Sequence, residues 1–353
     1  MKAAVYFGPE DIRTVDVDDP KITEPHQMLV KVRATSICGS DLHIWRGTLD
    51  EAMGKGHSTL GHELSGEVVE TGAEVSRFKT GDRVSMAYSA SCGDCFMCRV
   101  GNTAHCETTK SAVYGFGVGF GDLNGTQADY LVIPHADAHA MKVDDALDDR
   151  QALSLSCNLP TAILANKLVD VQIGESLCVV GLGPTGMMAL DLAVKRNPGK
   201  VFAFDPVAHR RKAAEDRYGV RTFAPGEDSI EAVKAANGGR GADKVIEMVG
   251  TGDSLDLCYH LVRAGGTIAG LGVFTDVEHK MNLLDIFFRD ITLHKRGFAS
   301  VWPEMWEAHR MILEGKITVT EMFTHEFGLD QTNEAYKTFA EKLDNVEKVI
   351  IRP

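Results

Sequence analysis

Short runs in which apolar and polar residues alternate fill the first part of the chain: Lys2–Phe7, Ile12–Val17 and Gln27–Ala34, punctuated by Pro9, Pro20 and Pro25. Alternation with period two, broken by prolines, predicts β-strands. Leu64–Glu70 and Gln127–Pro134 repeat the pattern, and Lys79–Val84 is a turn into a further strand. From Asp148 the period changes. Asp149–Ser156 and Thr161–Val169 carry helical spacing, and Asn158-Leu159-Pro160 separates them, with Pro160 suited to the first turn of the second helix. This is the expected crossing between domains. Apolar and helical runs then take turns. Strands are predicted at Ser176–Val180, Lys200–Phe204, Arg221–Phe223, Lys244–Val249, Gly266–Leu271 and Ile291–Gly297, and helices at Met187–Arg196, Val207–Tyr218, Ser229–Ala236 and Ser254–Val262. Strands mostly separated by helices predict a doubly wound parallel sheet, so the fold class is α/β. A helix at Trp302–Leu313, a β stretch at Phe323–Phe327 and a strand at Lys348–Ile351 form a tail expected to rejoin the first domain. The predicted organisation is therefore 1–157, 158–297 and 298–353.

Composition narrows the function classes. The 353 residues are 44% hydrophobic and 25% charged, enough for a substantial core. A formal net charge of −13 argues against a nucleic-acid partner, which needs a basic face. No apolar run approaches the ~20 residues of a membrane span, and the N-terminal residues lack a signal-peptide pattern. A cytoplasmic location without a membrane partner is the expectation.

Four of the eight cysteines fall between Cys92 and Cys106. In a reducing cytosol such clustering points to metal rather than to disulfides. Cys92, Cys95, Cys98 and Cys106 form C-x2-C-x2-C-x7-C, the donor set of a closed structural zinc site. Iron–sulfur spacings, which end C-x3-C-P or begin C-x4-C, do not match. A second group is Ile37-Cys38-Gly39-Ser40-Asp41-Leu42-His43, read with Gly61-His62-Glu63. Cys38 and His62 are candidates for two of the three protein ligands of an open, catalytic zinc. Ser40 and His43 stand where a proton can be handed away from the open position. Cys38 alone also reads as a small buried apolar residue, but the adjacent glycines suit a backbone turning tightly around a metal.

Gly181-Leu182-Gly183-Pro184-Thr185-Gly186 follows a predicted strand and opens a predicted helix, and Asp205 ends the next strand about 20 residues on. In that setting G-x-G-x-x-G binds a dinucleotide pyrophosphate at a helix N-terminus. Val249-Gly250 and Leu271-Gly272-Val273 end later strands, where the cofactor crevice is expected. The glycine-rich Tyr114–Gly125 has no such setting. It reads either as a flexible surface loop or as a pocket wall carrying Phe116, Phe120 and Leu123.

Together these pieces resemble the zinc-dependent medium-chain alcohol dehydrogenases over essentially the whole chain. The carriers are C-G-S-D-L-H at 38–43, G-H-E at 61–63, G-D-R-V at 81–84, the four-cysteine lobe and G-L-G-P-T-G. The resemblance implies a GroES-like β-rich catalytic domain interrupted by a Rossmann domain that holds NAD(P), with two zinc ions per chain, one catalytic and one structural. It implies Cys38, His62 and Cys157 as catalytic-zinc ligands, with Glu63 beside the metal or approaching it. Ser40 and His43 match the family's proton relay, which passes through the nicotinamide ribose. Thr161 and Arg210 join the glycine loop and Asp205 as cofactor-site candidates, and Asp205 favours NAD. Oxidation of a primary or secondary alcohol, or the reverse reduction of an aldehyde or ketone, is the implied activity. Polyol and formaldehyde dehydrogenases of the same family are the alternatives, as is an inactive dinucleotide-binding protein. The segment ending Gln127-Ala128-Asp129-Tyr130 is similar to the glutathione-independent formaldehyde branch, whose members usually have longer chains. A homo-oligomer is implied, tetramer before dimer. His57 departs from the pattern, standing where many members have proline; it is either a loop residue or an aid to proton transfer.

Overall fold

The computed structural model describes residues 1–276 and 278–353. In chain order the elements are β1 (Lys2–Gly8), β2 (Asp11–Asp16), β3 (Met28–Ser36), α1 (Asp41–Trp45), β4 (Leu64–Thr71), β5 (Arg83–Met86), α2 (Phe96–Arg99), β6 (Tyr130–Ile133), α3 (Ala136–His139), β7 (Ala140–Lys142), α4 (Asp149–Ser156) and α5 (Asn158–Val169). There follow β8 (Ser176–Val180), α6 (Pro184–Lys195), β9 (Lys200–Phe204), α7 (Ala208–Tyr218), β10 (Arg221–Phe223), α8 (Glu227–Ala236), β11 (Ala242–Glu247), α9 (Gly252–Leu261), β12 (Val262–Gly270), α10 (Leu283–Phe288) and β13 (Thr292–Lys295). The tail adds α11 (Trp302–Leu313), β14 (Phe323–Gly328), α12 (Thr332–Glu341) and β15 (Lys348–Arg352). The chain divides into two compact units, Met1–Pro160 with Ser300–Pro353, and Thr161–Ala299.

In the first unit the sheet runs β14-β15-β3-β4-β5-β7, with β6 also paired to β3. β3 is its centre. Met28, Val30 and Val32 turn inward on alternate positions and meet Leu64, Val68, Val84, Met86, Leu131 and Ile133 in one buried cluster. Each such side chain contributes about 1.5–3 kcal/mol by leaving water. β15, in the tail, pairs antiparallel to β3 through Ile350↔Ser36 and Ile351↔Thr35. That pairing brings residues more than 300 positions apart to one strand end.

In the second unit the parallel sheet runs β10-β9-β8-β11-β12-β13, the doubly wound order that reverses direction between the first strand and the fourth. Cys178, Val180, Phe202, Phe204, Val245 and Ile268 pack with Val233, Cys258 and Leu261 of the covering helices.

Differences from the periodicity are local. α5 starts at Asn158 rather than Thr161, because Pro160 is tolerated in a first helical turn. Helices α10 and α12 lie where no helix is expected. α12 buries Ala335, Tyr336, Phe339 and Ala340 on one face, and tertiary packing overrides the weak propensities of its Thr332, Asn333, Tyr336 and Thr338. Among the described residues, no helix is long and apolar enough to cross a membrane.

Candidate active site

The turn after β3 is built around Asp41. Its Oδ2 accepts the Cys38 amide at 2.8 Å, and the Asp41 amide donates to the Cys38 carbonyl at 3.2 Å. The chain therefore folds back before α1 begins, leaving the Cys38 thiol at the base of the turn. His62 arrives on another turn. Gly61 has φ +97°, and a methyl group there would lie 2.6 Å from Thr126 Oγ1, so this close approach needs glycine. Cys157 closes α4.

These elements bring Cys38, His62, Glu63 and Cys157 together: one ligand atom from each lies within 4.8 Å of every other. The four span 120 positions and meet in the first unit. The Cys157 thiol donates to Cys38, which with help from His62 holds the Cys38 thiol well below its usual range against burial. Burial opposes the charge of His62, yet the Asp41 carboxylate, 3.0 Å from Nδ1, outweighs it and raises the imidazole. Asn158 Nδ2 donates to Cys38 Sγ at 3.5 Å. Glu63 is fully buried. Its Oε2 receives Lys348 Nζ at 2.7 Å and the Ser36 hydroxyl, while its Oε1 has no hydrogen-bond partner among the described residues. Two thiols, an imidazole and an orphaned carboxylate oxygen converging in a buried space fit a divalent cation of zinc's preferences.

Ser40 immediately precedes α1 and His43 lies one turn further on, so the two share a helix face. The Ser40 hydroxyl makes no capping hydrogen bond. Aromatic rings stand over the cluster: Phe116 has its centroid 5.6 Å from that of His62, Tyr88 is at 6.2 Å, and Phe120 packs edge-on to Phe116. Phe116 thus packs against His62 and Phe120 against Phe116, whereas Leu123 packs against the β core. His57 is largely exposed, with Nε2 3.3 Å from Asp122 Oδ2, linking its loop to that wall. Trp302 packs against Trp306 and the Arg77 guanidinium.

Cys92, Cys95, Cys98 and Cys106 also converge within 4.8 Å. Backbone amides point at the sulfurs: Cys95 to Cys92 at 3.3 Å, Cys92 to Cys106 at 3.3 Å and Glu107 to Cys95 at 3.4 Å. Such donors favour thiolates. Burial opposes ionisation of Cys92, but Thr108 and the amides of Asp94 and Cys95 bring its thiol down to about 6.

The second unit carries the glycine loop. Gly181 turns with φ +93°, a methyl group at Gly183 would meet Arg210 NH1 at 3.8 Å, an ordinary contact, and one at Gly186 would lie 1.8 Å from the Gly181 carbonyl oxygen. A tight turn, an open approach and close helix packing are the three roles this motif requires. α6 starts at Pro184, so Thr185 and Gly186 lie in its first turn. Asp205, 4% exposed, accepts the Leu182 amide on Oδ2 and the Val207 amide on Oδ1, both at 2.8 Å. Arg210 places NH1 3.9 Å from Asp205 Oδ2. Val249 and Gly250 follow β11, and Leu271, Gly272 and Val273 follow β12, at the strand ends where such sheets bind ligands. Thr161 is buried on α5.

Two convergent donor sets of zinc chemistry and a dinucleotide loop define a metal-dependent dehydrogenase class. The model of the alcohol dehydrogenase GroES-like domain matches residues 24–145, and that of zinc-binding dehydrogenases matches 184–314. A probable zinc-binding alcohol dehydrogenase of Mycobacterium tuberculosis is 33% identical, covering 100% of this chain and 89% of its own. An L-threonine 3-dehydrogenase of Caldanaerobacter subterraneus is 34% identical over 94% of this chain and 93% of its own. The solved alcohol dehydrogenase of Thermus sp. ATN1 superposes with a TM-score of 0.92 at 29% identity, covering 100% and 99%. The chain belongs to the zinc-dependent medium-chain dehydrogenase/reductase family and is an oxidoreductase of its zinc alcohol dehydrogenase branch.

Lys348, Ser36 and Asn158 are site residues that sequence reading missed. The available signal was a lysine opening the apolar strand Lys348–Ile351, a charge with no local reason to be buried.

Proposed function

We propose that this chain is a cytoplasmic, NAD-dependent alcohol dehydrogenase or carbonyl reductase acting on a substrate with an apolar or aromatic substituent. The observation that carries this reading is the convergence of Cys38, His62, Glu63 and Cys157 directly ahead of the helix bearing Ser40 and His43. Cys38, His62 and Cys157 would hold a catalytic zinc, with Glu63 beside it, and Cys92, Cys95, Cys98 and Cys106 a structural one. When bound, the catalytic ion supplies a Lewis acid that stabilises an alkoxide or polarises a carbonyl. Ser40 accepts the substrate hydroxyl proton, and His43 returns it towards solvent. Phe116, Phe120 and Tyr88 exclude water and favour apolar substituents. A homo-oligomer is supported by α10, whose Leu283, Leu284, Phe287 and Phe288 are 67–73% exposed beside the edge strand β13.

The test is reduced-cofactor production across primary, secondary and polyhydric alcohols, with NAD and NADP in parallel. Activity should appear with NAD and be strongest on apolar alcohols; activity on none would favour the inactive alternative. A 2′-phosphate at about 5 Å from the Asp205 carboxylate costs roughly 3 kcal/mol per unit charge at an effective dielectric near 20, on the order of two decades of affinity. Arg210 offsets part of this, and equal efficiency with NADP would mean that it offsets all.

Elemental analysis should find two zinc ions per chain. The four-cysteine set is closed and should resist chelators that empty the open set. One zinc, or iron with a visible charge-transfer band, would contradict the assignment.

A further inference from the structure

Glu247 ends β11 with a fully buried side chain. Its Oε1 accepts three donors: the amides of Val249 and Gly250, both at 2.7 Å, and the Ser254 hydroxyl at 2.8 Å. Its backbone carbonyl accepts two more, from Leu271 at 2.9 Å and Gly272 at 3.3 Å. One residue thus ties down both turns that follow the fourth and fifth strands of the parallel sheet. The turns also interlock. A methyl group at Gly250 would lie 2.4 Å from the Val273 carbonyl oxygen, and one at Gly181 would lie 2.7 Å from the Val249 side chain. A displaced Val249–Gly250 turn therefore has no room to settle without pushing on its neighbours.

The second carboxylate oxygen of Glu247 is buried with no hydrogen-bond partner among the described residues. It faces Lys295 across Gly270: a methyl group there would stand 3.6 Å from Lys295 Nζ and 3.8 Å from Glu247 Oε2. A carboxylate accepting two amides makes charge-assisted bonds, stronger than those of a neutral acceptor.

We infer that Glu247 is a positioning residue for the second nucleotide half of a bound dinucleotide, acting through the Val249–Gly250 and Leu271–Gly272 turns without touching the ligand. The inference rests on the dinucleotide reading above. Doubly wound sheets bind the two nucleotides on their two halves, so Asp205 serves the adenosine half and the Glu247 turns serve the nicotinamide half.

The experiment compares AMP and NADH affinities by calorimetry in the wild-type holoenzyme and in Glu247→Gln, Glu247→Ala and Glu247→Asp, with folding followed by circular dichroism. Glu247→Gln keeps a neutral acceptor for the three donors and should retain more NADH affinity than Glu247→Ala, with AMP affinity unchanged. Glu247→Ala should lose at least about tenfold in NADH affinity, as expected for forfeited buried hydrogen bonds, while AMP affinity stays unchanged. Glu247→Asp falls one methylene short and should show the same split if the alanine variant does not fold. Equal losses for AMP and NADH, or unchanged NADH affinity in Glu247→Ala or Glu247→Asp, would overturn the inference. A wild-type protein that binds neither ligand would instead overturn the dinucleotide reading itself.

Discussion

Replacing Ser40 by alanine is expected to lower turnover by about 10²–10⁴-fold, the usual contribution of general acid–base catalysis, with NAD affinity nearly unchanged. The structure separates this from a stability effect. Ser40 stands at the head of α1, but its hydroxyl makes no capping bond, so the ordinary penalty of about 1 kcal/mol for losing a cap does not apply. Alanine has no atom that can take the substrate proton, which must then leave through a site walled by Phe116 and Tyr88. In the proposed relay His43, one turn on, is nearer the solvent end and can be bypassed by buffer. His43→Gln should therefore cost less than Ser40→Ala and should regain rate with imidazole. The relay fails as an explanation if Ser40→Ala keeps most of its turnover while deuterated alcohol identifies hydride transfer as the slow step.

What could be read from sequence follows from how locally each feature is encoded. The glycine loop, its strand and its helix occupy one continuous stretch, Ser176 to Lys195, and each glycine's role is visible in the spacing. The four-cysteine lobe is equally local. Cys38 and His62 are separate in sequence but each sits in its own short turn with glycine beside it. Lys348 and Asn158 could not be found that way. Lys348 reaches Glu63 only because β15 returns to pair with β3, and that register is set by the whole sheet rather than by any neighbouring residue. α12 was hidden for a related reason: its helix forms against the surface it covers, through Tyr336 and Phe339, and not from intrinsic propensity. The Glu247 turns lie between the two cases, since the glycines after each strand mark a crevice but not the carboxylate that braces it.

Removing Lys348 is expected to destabilise the first unit by about 3–5 kcal/mol, the range found when one partner of a buried ion pair is deleted. Lys348 and Glu63 are each 0% exposed, with 2.7 Å between Nζ and Oε2. Burial works against the lysine's charge, but the Glu63 carboxylate, assisted by Cys38, outweighs it and raises the ammonium. Nζ also donates to the Ile37 carbonyl at 3.3 Å, next to Cys38. Lys348→Met keeps most of the volume and removes the charge, which leaves Glu63 facing an apolar strand with the Ser36 hydroxyl as its remaining donor. Glu63→Gln with Lys348→Met removes both charges and should recover most of the loss, since a well-packed neutral pair is often as stable as the ion pair it replaces. A double-mutant cycle by denaturant unfolding should therefore give a coupling on the order of 2–3 kcal/mol. The outcome also bears on the metal. If the lysine serves only folding, the single variant should keep its zinc content at full occupancy despite lower stability. If it also fixes how close Glu63 comes to Cys38 and His62, zinc should be lost to chelators faster in Lys348→Met than in the double variant. A stability loss below about 1 kcal/mol in the single variant would mean that the pair is solvated in solution and that Glu63 is not held by it.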